Sequence, residues 1–142
     1  MKIKGKHFLS NQEFFDAAWN WLVVENRPKC VNENGSCSYR SNNQTCVIGA
    51  FIPDDLYKSD LEGKTVLKLM TIQVESCKPI QVWFENVEID LMNHLQAVHD
   101  CFYDGFSNNK TISENDRRKT RIESLERIAK KFNLTIPKEN NV

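Results

Sequence analysis

Apolar residues recur every three or four positions in three long segments of the chain. This spacing places them on one face of an α-helix. The sequence therefore predicts helices from Ser10 to about Val24, from about Phe84 to Phe102, and from Thr111 to about Phe132. The pattern is strongest in the second segment, where the apolar positions are Phe84, Val87, Leu91, Leu95, Val98 and Phe102.

Two of these helices begin with a sequence pattern typical of a helix start. Ser10 is followed three residues later by Glu13, and Thr111 is followed in the same way by Glu114. In such a capping box the two side chains accept hydrogen bonds from backbone amides of the first turn. A weaker apolar pattern between Leu61 and Val74 predicts a fourth helix.

The region between the first predicted helix, which ends at about Val24, and the one predicted from Leu61 is mostly polar but contains two short apolar segments. They are Cys37–Arg40 and Cys46–Ile52, and an Asn-rich link separates them. Because Asn tolerates turn conformations, this arrangement predicts a β-hairpin. The second segment is also compatible with a buried helical turn, since periodicity does not distinguish strand from helix in so short a run.

These elements together predict an α+β fold in which about four helices pack around a short β-hairpin. We expect one domain over residues 1–142, with flexible ends at 1–9 and 137–142. A chain of 142 residues with 40% hydrophobic and 27% charged residues is long and apolar enough to form a packed core.

Net charge argues against nucleic acid as the partner. The chain has 19 basic and 19 acidic residues, whereas nucleic-acid-binding proteins usually show a basic excess. No apolar segment has the length of a signal peptide or of a membrane-spanning helix. We therefore expect a cytoplasmic protein with no membrane partner.

Charge is nevertheless unevenly distributed along the C-terminal half. No Lys or Arg occurs from Pro79 to Asn109, and the next predicted helix is basic, with Arg117, Arg118 and Arg121 near its start. One interpretation is that two antiparallel helices pack with complementary flanks. The other is that the three arginines form a partner-binding face.

Cysteine and histidine provide one candidate for catalysis. Cys46 would be the nucleophile and His99 the base that activates it, if the fold brings them together. The alternative is that Cys46 is a small buried core residue. We assign no catalytic residue on this evidence.

Zinc is a weak possibility, and we assign no metal ligand or other cofactor. Cys37 and Cys46 lack the close pairing typical of structural zinc sites. His99 and Cys101 are two positions apart on a predicted helix, so their side chains diverge.

Tyr39 and Arg40 are the candidate ligand-binding residues of the hairpin. An aromatic ring and a guanidinium can stack on and pair with a nucleotide or another phosphate-bearing ligand. No glycine-rich phosphate loop accompanies them, and an exposed hairpin arginine is the alternative. Asp54 and Asp55 follow Pro53, a pattern that favours a turn over a metal site.

Three segments also resemble small uncharacterised proteins of bacteriophages and prophages. They are Cys37–Arg40, Cys46–Tyr57 and Leu95–Asp100. The link between the first two lacks the glycine expected from that pattern. The resemblance implies that the matching positions form a packing or working centre, namely Cys37, Tyr39, Arg40, Cys46, Gly49, Pro53, Asp54, Tyr57, His99 and Asp100.

The resemblance further implies a phage-encoded accessory protein that counters a host defence system without catalysis, in the host cytoplasm. It would occlude a host defence protein or sequester a nucleotide signal in a pocket lined by Tyr39, Arg40 and His99. One alternative is a small thiol- or zinc-dependent enzyme centred on Cys46 and His99. Another is a host-regulatory interaction module, and the protein could form a homo-oligomer.

Overall fold

The structure, a computed structural model, describes residues 7–27, 38–41, 44–100 and 113–137, with only the backbone of residues 99 and 100. Its described part is mostly helical and includes one two-stranded antiparallel sheet. The α-helices and strands, in chain order, are α1 (Asn11–Trp19), β1 (Arg40–Ser41), β2 (Gln44–Thr45), α2 (Val47–Ala50), α3 (Val66–Thr71), α4 (Lys78–Trp83), α5 (Ile89–Asp100) and α6 (Glu114–Phe132). Single-turn 3₁₀ helices lie at Ser59–Leu61 and Glu75–Cys77, and a π-helical segment, Asn20–Val24, continues α1.

The described residues thus confirm a mainly helical fold with a small sheet, but with six α-helices rather than about four. The two additional helices are α2, in a run for which strand and helical turn were both left open, and α4, which lies before the helix predicted from about Phe84. Here α4 ends at Trp83 and α5 begins at Ile89. Phe84 and Val87 are buried in the turn between them, so the predicted helix begins at Ile89 rather than at about Phe84.

The predicted hairpin is smaller than expected. Arg40 pairs with Thr45, and Ser41 pairs with Gln44; residues 42 and 43 of the loop lie outside the described residues. The apolar segment after the hairpin is not a strand. It folds as α2, whose N-cap is Cys46, which confirms the helical alternative for this run.

The first and the last α-helix of the described residues each begin with a serine N-cap. The Ser10 hydroxyl accepts a hydrogen bond from the Glu13 amide at 3.1 Å. At the start of α6, the cap is Ser113, whose hydroxyl accepts from the Asp116 amide at 3.1 Å. Thr111, the predicted cap, lies outside the described residues.

The core contains a cluster of aromatic rings that joins α1 to the residues after α2 and α4. Phe14 makes edge contacts with Phe8 at 5.0 Å, Phe51 at 5.5 Å and Phe84 at 5.9 Å between ring centroids. Such edge-to-face geometry is favoured between aromatic rings. Phe8 is fully buried, so the core includes part of the segment expected to be a flexible N-terminal end.

Helices α5 and α6 pack against each other in antiparallel orientation. The His94 ring lies 5.6 Å from the Phe132 ring, and Lys131 Nζ lies 4.0 Å from a carboxylate oxygen of Asp90. The start of α5 is therefore beside the end of α6. None of the helices in the described ranges combines the length and the apolar character needed to cross a membrane.

Candidate functional site

Glu62 holds the beginning of the hairpin in place. One carboxylate oxygen accepts a hydrogen bond from the Tyr39 amide, and the other accepts from the Arg40 amide, both at 2.9 Å. The second oxygen also accepts from the Tyr57 hydroxyl at 2.6 Å. Hydrogen bonds to an ionised carboxylate are stronger than neutral ones. Glu62 therefore ties two consecutive backbone amides to a residue more than twenty positions away.

The Arg40 guanidinium is used within the fold. It lies over the Tyr57 ring, 4.6 Å from the ring centroid, and Nη1 is 2.9 Å from a carboxylate oxygen of Asp54. Its Nη2 donates to the backbone carbonyl of Ile52. The side chain is 18% exposed. Arg40 thus stabilises the residues following α2, and its guanidinium contacts groups of the protein.

Tyr39 is also largely buried, and its hydroxyl donates to the Lys64 carbonyl at 2.7 Å. Several positions that carry the phage resemblance therefore meet in one cluster around Glu62. We call this the Glu62 cluster; its members are Tyr39, Arg40, Asp54, Tyr57 and Glu62. Glu62 is the member that the sequence interpretation missed, since an isolated acidic residue before a glycine carries no recognisable signal.

The Cys46 thiol is fully buried at the start of α2, where it accepts a hydrogen bond from the Gly49 amide at 3.3 Å. Next to it, the Ile48 amide donates to the side-chain oxygen of Gln96 on α5 at 3.1 Å. His99 lies one turn beyond Gln96, but its side chain is outside the described residues. The structure therefore assigns Cys46 a capping role and does not test its pairing with His99.

The described residues contain no group of three or more His, Cys, Asp or Glu that could hold a metal ion. Asp54 and Asp55 lie in a turn, in which the amides of Leu56 and Tyr57 donate to the Pro53 carbonyl. This agrees with the turn interpretation of Pro53–Asp55. Cys37 and Cys101, the other candidate zinc ligands, lie outside the described residues.

The three arginines of α6 contact the end of the first helix. Arg117 donates to the side chain and to the carbonyl of Asn26, both at 3.3 Å. Arg118 donates to the Val23 carbonyl at 2.8 Å, and Arg121 donates to the Leu22 carbonyl at 3.1 Å. Carbonyls at the end of a helix lack partners within it, and cationic side chains bind them favourably.

At these three positions the guanidinium groups contact backbone carbonyls of the fold itself. Arg121 is only 2% exposed, and Arg117 and Arg118 are half-buried. Complementary packing is the better interpretation, but the arginines pack against the end of the π-helical segment Asn20–Val24. The sequence interpretation had considered only the acidic flank of α5.

A polar cleft lies between the Glu62–Val66 segment and α5, with a volume of about 440 Å³. We call it the polar cleft. Glu62 and Tyr39 form part of its wall, and the side chains of Lys64, Asn93 and Gln96 add polar groups. Asn93 is exposed, and Lys64 is half-buried. Tyr39 lines this cleft, whereas Arg40 is not among its lining residues.

A second cleft lies between α5 and α6 and has a volume of about 320 Å³. We call it the basic cleft. Its lining residues are His94, Ala97, Val98, Ser124, Arg127, Ile128 and Lys131.

A third concavity of about 600 Å³ is mainly apolar. We call it the apolar groove. Val82 is 62% exposed there, beside the half-buried Trp83. The Trp83 ring stacks on His7 at 5.2 Å, and its Nε1 donates to the Phe51 carbonyl at 2.9 Å. The remaining lining residues are Pro53, Asp55, Leu56 and Pro79.

No protein-family model matches the chain, and neither a curated protein nor a solved structure shows significant similarity to it.

Proposed function

We propose that this chain is a non-enzymatic binding protein that sequesters a small nucleotide-class ligand in the polar cleft. It would act as a phage-encoded accessory protein that removes a host defence signal in the host cytoplasm. The phage origin rests on the sequence resemblance. The observation that carries the binding role is the 440 Å³ cleft, whose lining residues include Tyr39, Lys64 and Asn93.

The composition of the polar cleft is compatible with such a ligand. Its volume is within the range of roughly 300–1,000 Å³ that small-molecule sites occupy. The side-chain amide of Asn93, which is exposed at the cleft, can both donate and accept hydrogen bonds, as the edge of a nucleobase requires. Lys64, whose Nζ donates to the Asp60 carbonyl, adds a positive charge to the cleft, while Ala97 and Val66 supply apolar surface.

Burial of the Cys46 thiol supports binding over the alternative of a thiol-dependent enzyme. A nucleophilic cysteine must be accessible to its substrate. Cys46 is fully enclosed and is hydrogen-bonded as a helix cap.

Thermal unfolding with a panel of cyclic nucleotides and ADP-ribose derivatives tests this function. A ligand that binds the folded state at 100 times its Kd adds about 2.7 kcal/mol of stability. We expect one member of the panel to raise the melting temperature of the wild type, and Asn93→Ala to abolish the shift. Asn115→Ala is the matched control, because Asn115 is an exposed amide in the first turn of α6.

Unchanged melting temperatures across the whole panel would contradict nucleotide sequestration. An equal loss in Asn93→Ala and Asn115→Ala would place the ligand elsewhere on the protein.

A second candidate function is occlusion or regulation of a host protein, favoured by the apolar groove. Val82 leaves most of its side chain in solvent next to the Trp83 ring and Pro79. Aromatic and aliphatic side chains grouped in a concave surface are typical of the centre of protein interfaces. In this case the groove would accept an apolar side chain of the host protein.

A further inference from the structure

The basic cleft arises from the spacing of residues on two antiparallel helices. On α6 its lining residues are Ser124, Arg127, Ile128 and Lys131, which follow one face at intervals of three and four. On α5 they are His94, Ala97 and Val98, with the same spacing. Because alanine is small, the Ala97 side chain fills little of the space between α5 and α6.

The charged groups of this cleft are only partly neutralised. Arg127 is exposed, and its Nη2 donates to the Ser124 hydroxyl at 3.3 Å, which holds the guanidinium at the cleft. Lys131 has Asp90 as its carboxylate neighbour, at 4.0 Å, with both side chains more than half exposed. Such a solvent-exposed pair contributes little binding energy, so Lys131 remains available to another anion.

Asp90 also lies beside the histidine of this cleft. His94 Nδ1 is 2.7 Å from the Asp90 carbonyl and 3.5 Å from its carboxylate. Two permanent cations, an imidazole and a hydroxyl thus surround an apolar floor of Val98 and Ile128. A guanidinium matches the geometry of phosphate oxygens, and an ammonium provides a second charge.

The basic cleft and the polar cleft meet at one residue. Ala97 lines both, with Asn93 on the polar side and His94 on the basic side. Around an α-helix, position 97 lies between positions 93 and 94, so the three form a continuous exposed arc. A ligand could therefore cross α5 over the small side chain of Ala97.

We propose that the basic cleft binds phosphate, and that it takes the phosphate groups of the ligand whose base occupies the polar cleft. This inference rests on the proposed function and narrows its ligand class to nucleotides with at least one phosphate. Arg127 and Lys131 bind the phosphate oxygens, and the Ser124 hydroxyl, which accepts from Arg127, positions the guanidinium.

Titration of the folded protein with pyrophosphate, followed by backbone amide NMR and calorimetry, tests the phosphate site separately. We expect saturable shift changes around Ala97 and Arg127. Arg127→Ala should weaken pyrophosphate binding by about tenfold, the effect of losing one charge-assisted hydrogen bond. Lys119→Ala is the control, since it removes an exposed positive charge from α6 outside the cleft.

Absence of saturable pyrophosphate binding would overturn the inference, and so would equal weakening by Arg127→Ala and Lys119→Ala. After either result, a shift in melting temperature with a member of the nucleotide panel would still support ligand binding in the polar cleft. Conversely, site-specific pyrophosphate binding without any response to the panel would support the phosphate site and contradict the proposed function.

Replacing Ala97 by a large side chain tests whether one ligand spans both clefts. Ala97→Phe should abolish the response to the stabilising nucleotide, with thermal unfolding in its absence as the check that the variant folds. An unchanged response in a folded Ala97→Phe protein would overturn the shared-ligand part of the inference.

Discussion

Gly49 faces the backbone of Tyr39 so closely that no side chain fits between them. A Cβ placed at Gly49 would be 2.8 Å from the Tyr39 carbonyl carbon and closer still to its oxygen. The Cys46 amide donates to this same carbonyl at 3.1 Å. The close approach of Gly49 to Tyr39 sets the distance between the hairpin and α2. Both sides of this contact are backbone, which cannot move aside as a side chain can.

We therefore expect Gly49→Ala to destabilise the fold strongly, by about 3 kcal/mol, because overpacking against backbone cannot be relieved by a rotamer change. Gly63→Ala is the control. Gly63 has a φ of +80° but open space around it, so only backbone strain of about 1 kcal/mol is expected there. Urea unfolding measures both variants. If both variants lost the same free energy of unfolding, the close contact with Tyr39 would not be what excludes a side chain at position 49.

Glu62→Gln should reduce stability by about 1–3 kcal/mol, because the carboxylate accepts hydrogen bonds from two amides and a phenol. An amide side chain has one acceptor oxygen and cannot accept all three. Glu85 is exposed, so Glu85→Gln should change the free energy of unfolding by less than about 0.5 kcal/mol. If both variants unfold at the wild-type urea concentration, Glu62 does not organise the hairpin.

Arg121→Ala should cost about 2–3 kcal/mol, since it leaves the Leu22 carbonyl and the Asn26 side chain with fewer buried donors. Arg121→Lys should recover little, because an ammonium lacks the planar fork of a guanidinium. Calorimetric unfolding of these variants, with the exposed Lys119→Ala as the control, checks this expectation. Wild-type stability of Arg121→Ala would return this residue to the partner-binding hypothesis.

The second candidate function makes a prediction about Val82. Val82→Asp should leave stability nearly unchanged, because the side chain is already 62% exposed, but should prevent binding of a host protein in the apolar groove. Leu67→Asp is a matched control, since Leu67 is 58% exposed and outside the groove. Pull-down from host lysate with both variants compares them. Equal capture by wild type and Val82→Asp would exclude the groove as the interface.

Cys46 and Cys77 should resist alkylation in the folded protein, because both thiols are buried. Treatment with iodoacetamide, followed by peptide mass spectrometry, measures the labelling of each. The same reaction in denaturant provides the control, and both cysteines should then be labelled completely. Rapid labelling of Cys46 without denaturant would instead favour the thiol-dependent enzyme.

The limits of the sequence interpretation are clear at particular residues. The start of α1 was predicted at its cap, Ser10, and the start of α6 was predicted at Thr111, two residues before its cap at Ser113, because a capping hydroxyl followed by an acidic residue is a local signal. The break between α4 and α5 was not, since Phe84 and Val87 remain buried in the turn.

The candidate site was harder to predict than the helices. Tyr39 lines the polar cleft, yet nothing local in the sequence indicated that Arg40 would contact Asp54 and the Ile52 carbonyl. The arginines of α6 presented the same difficulty. Their charge was visible in the sequence, but their acceptors are backbone carbonyls more than ninety positions away.

The contact between those arginines and the first helix has a consequence for the order of folding. Arg118 and the Val23 carbonyl are 95 positions apart, so they can meet only when most of the chain has been made. During synthesis from the N-terminus, Val23 leaves the ribosome long before Arg118 is made. We therefore expect the end of the first helix to stay frayed on the nascent chain and to become protected from hydrogen exchange only when α6 has docked.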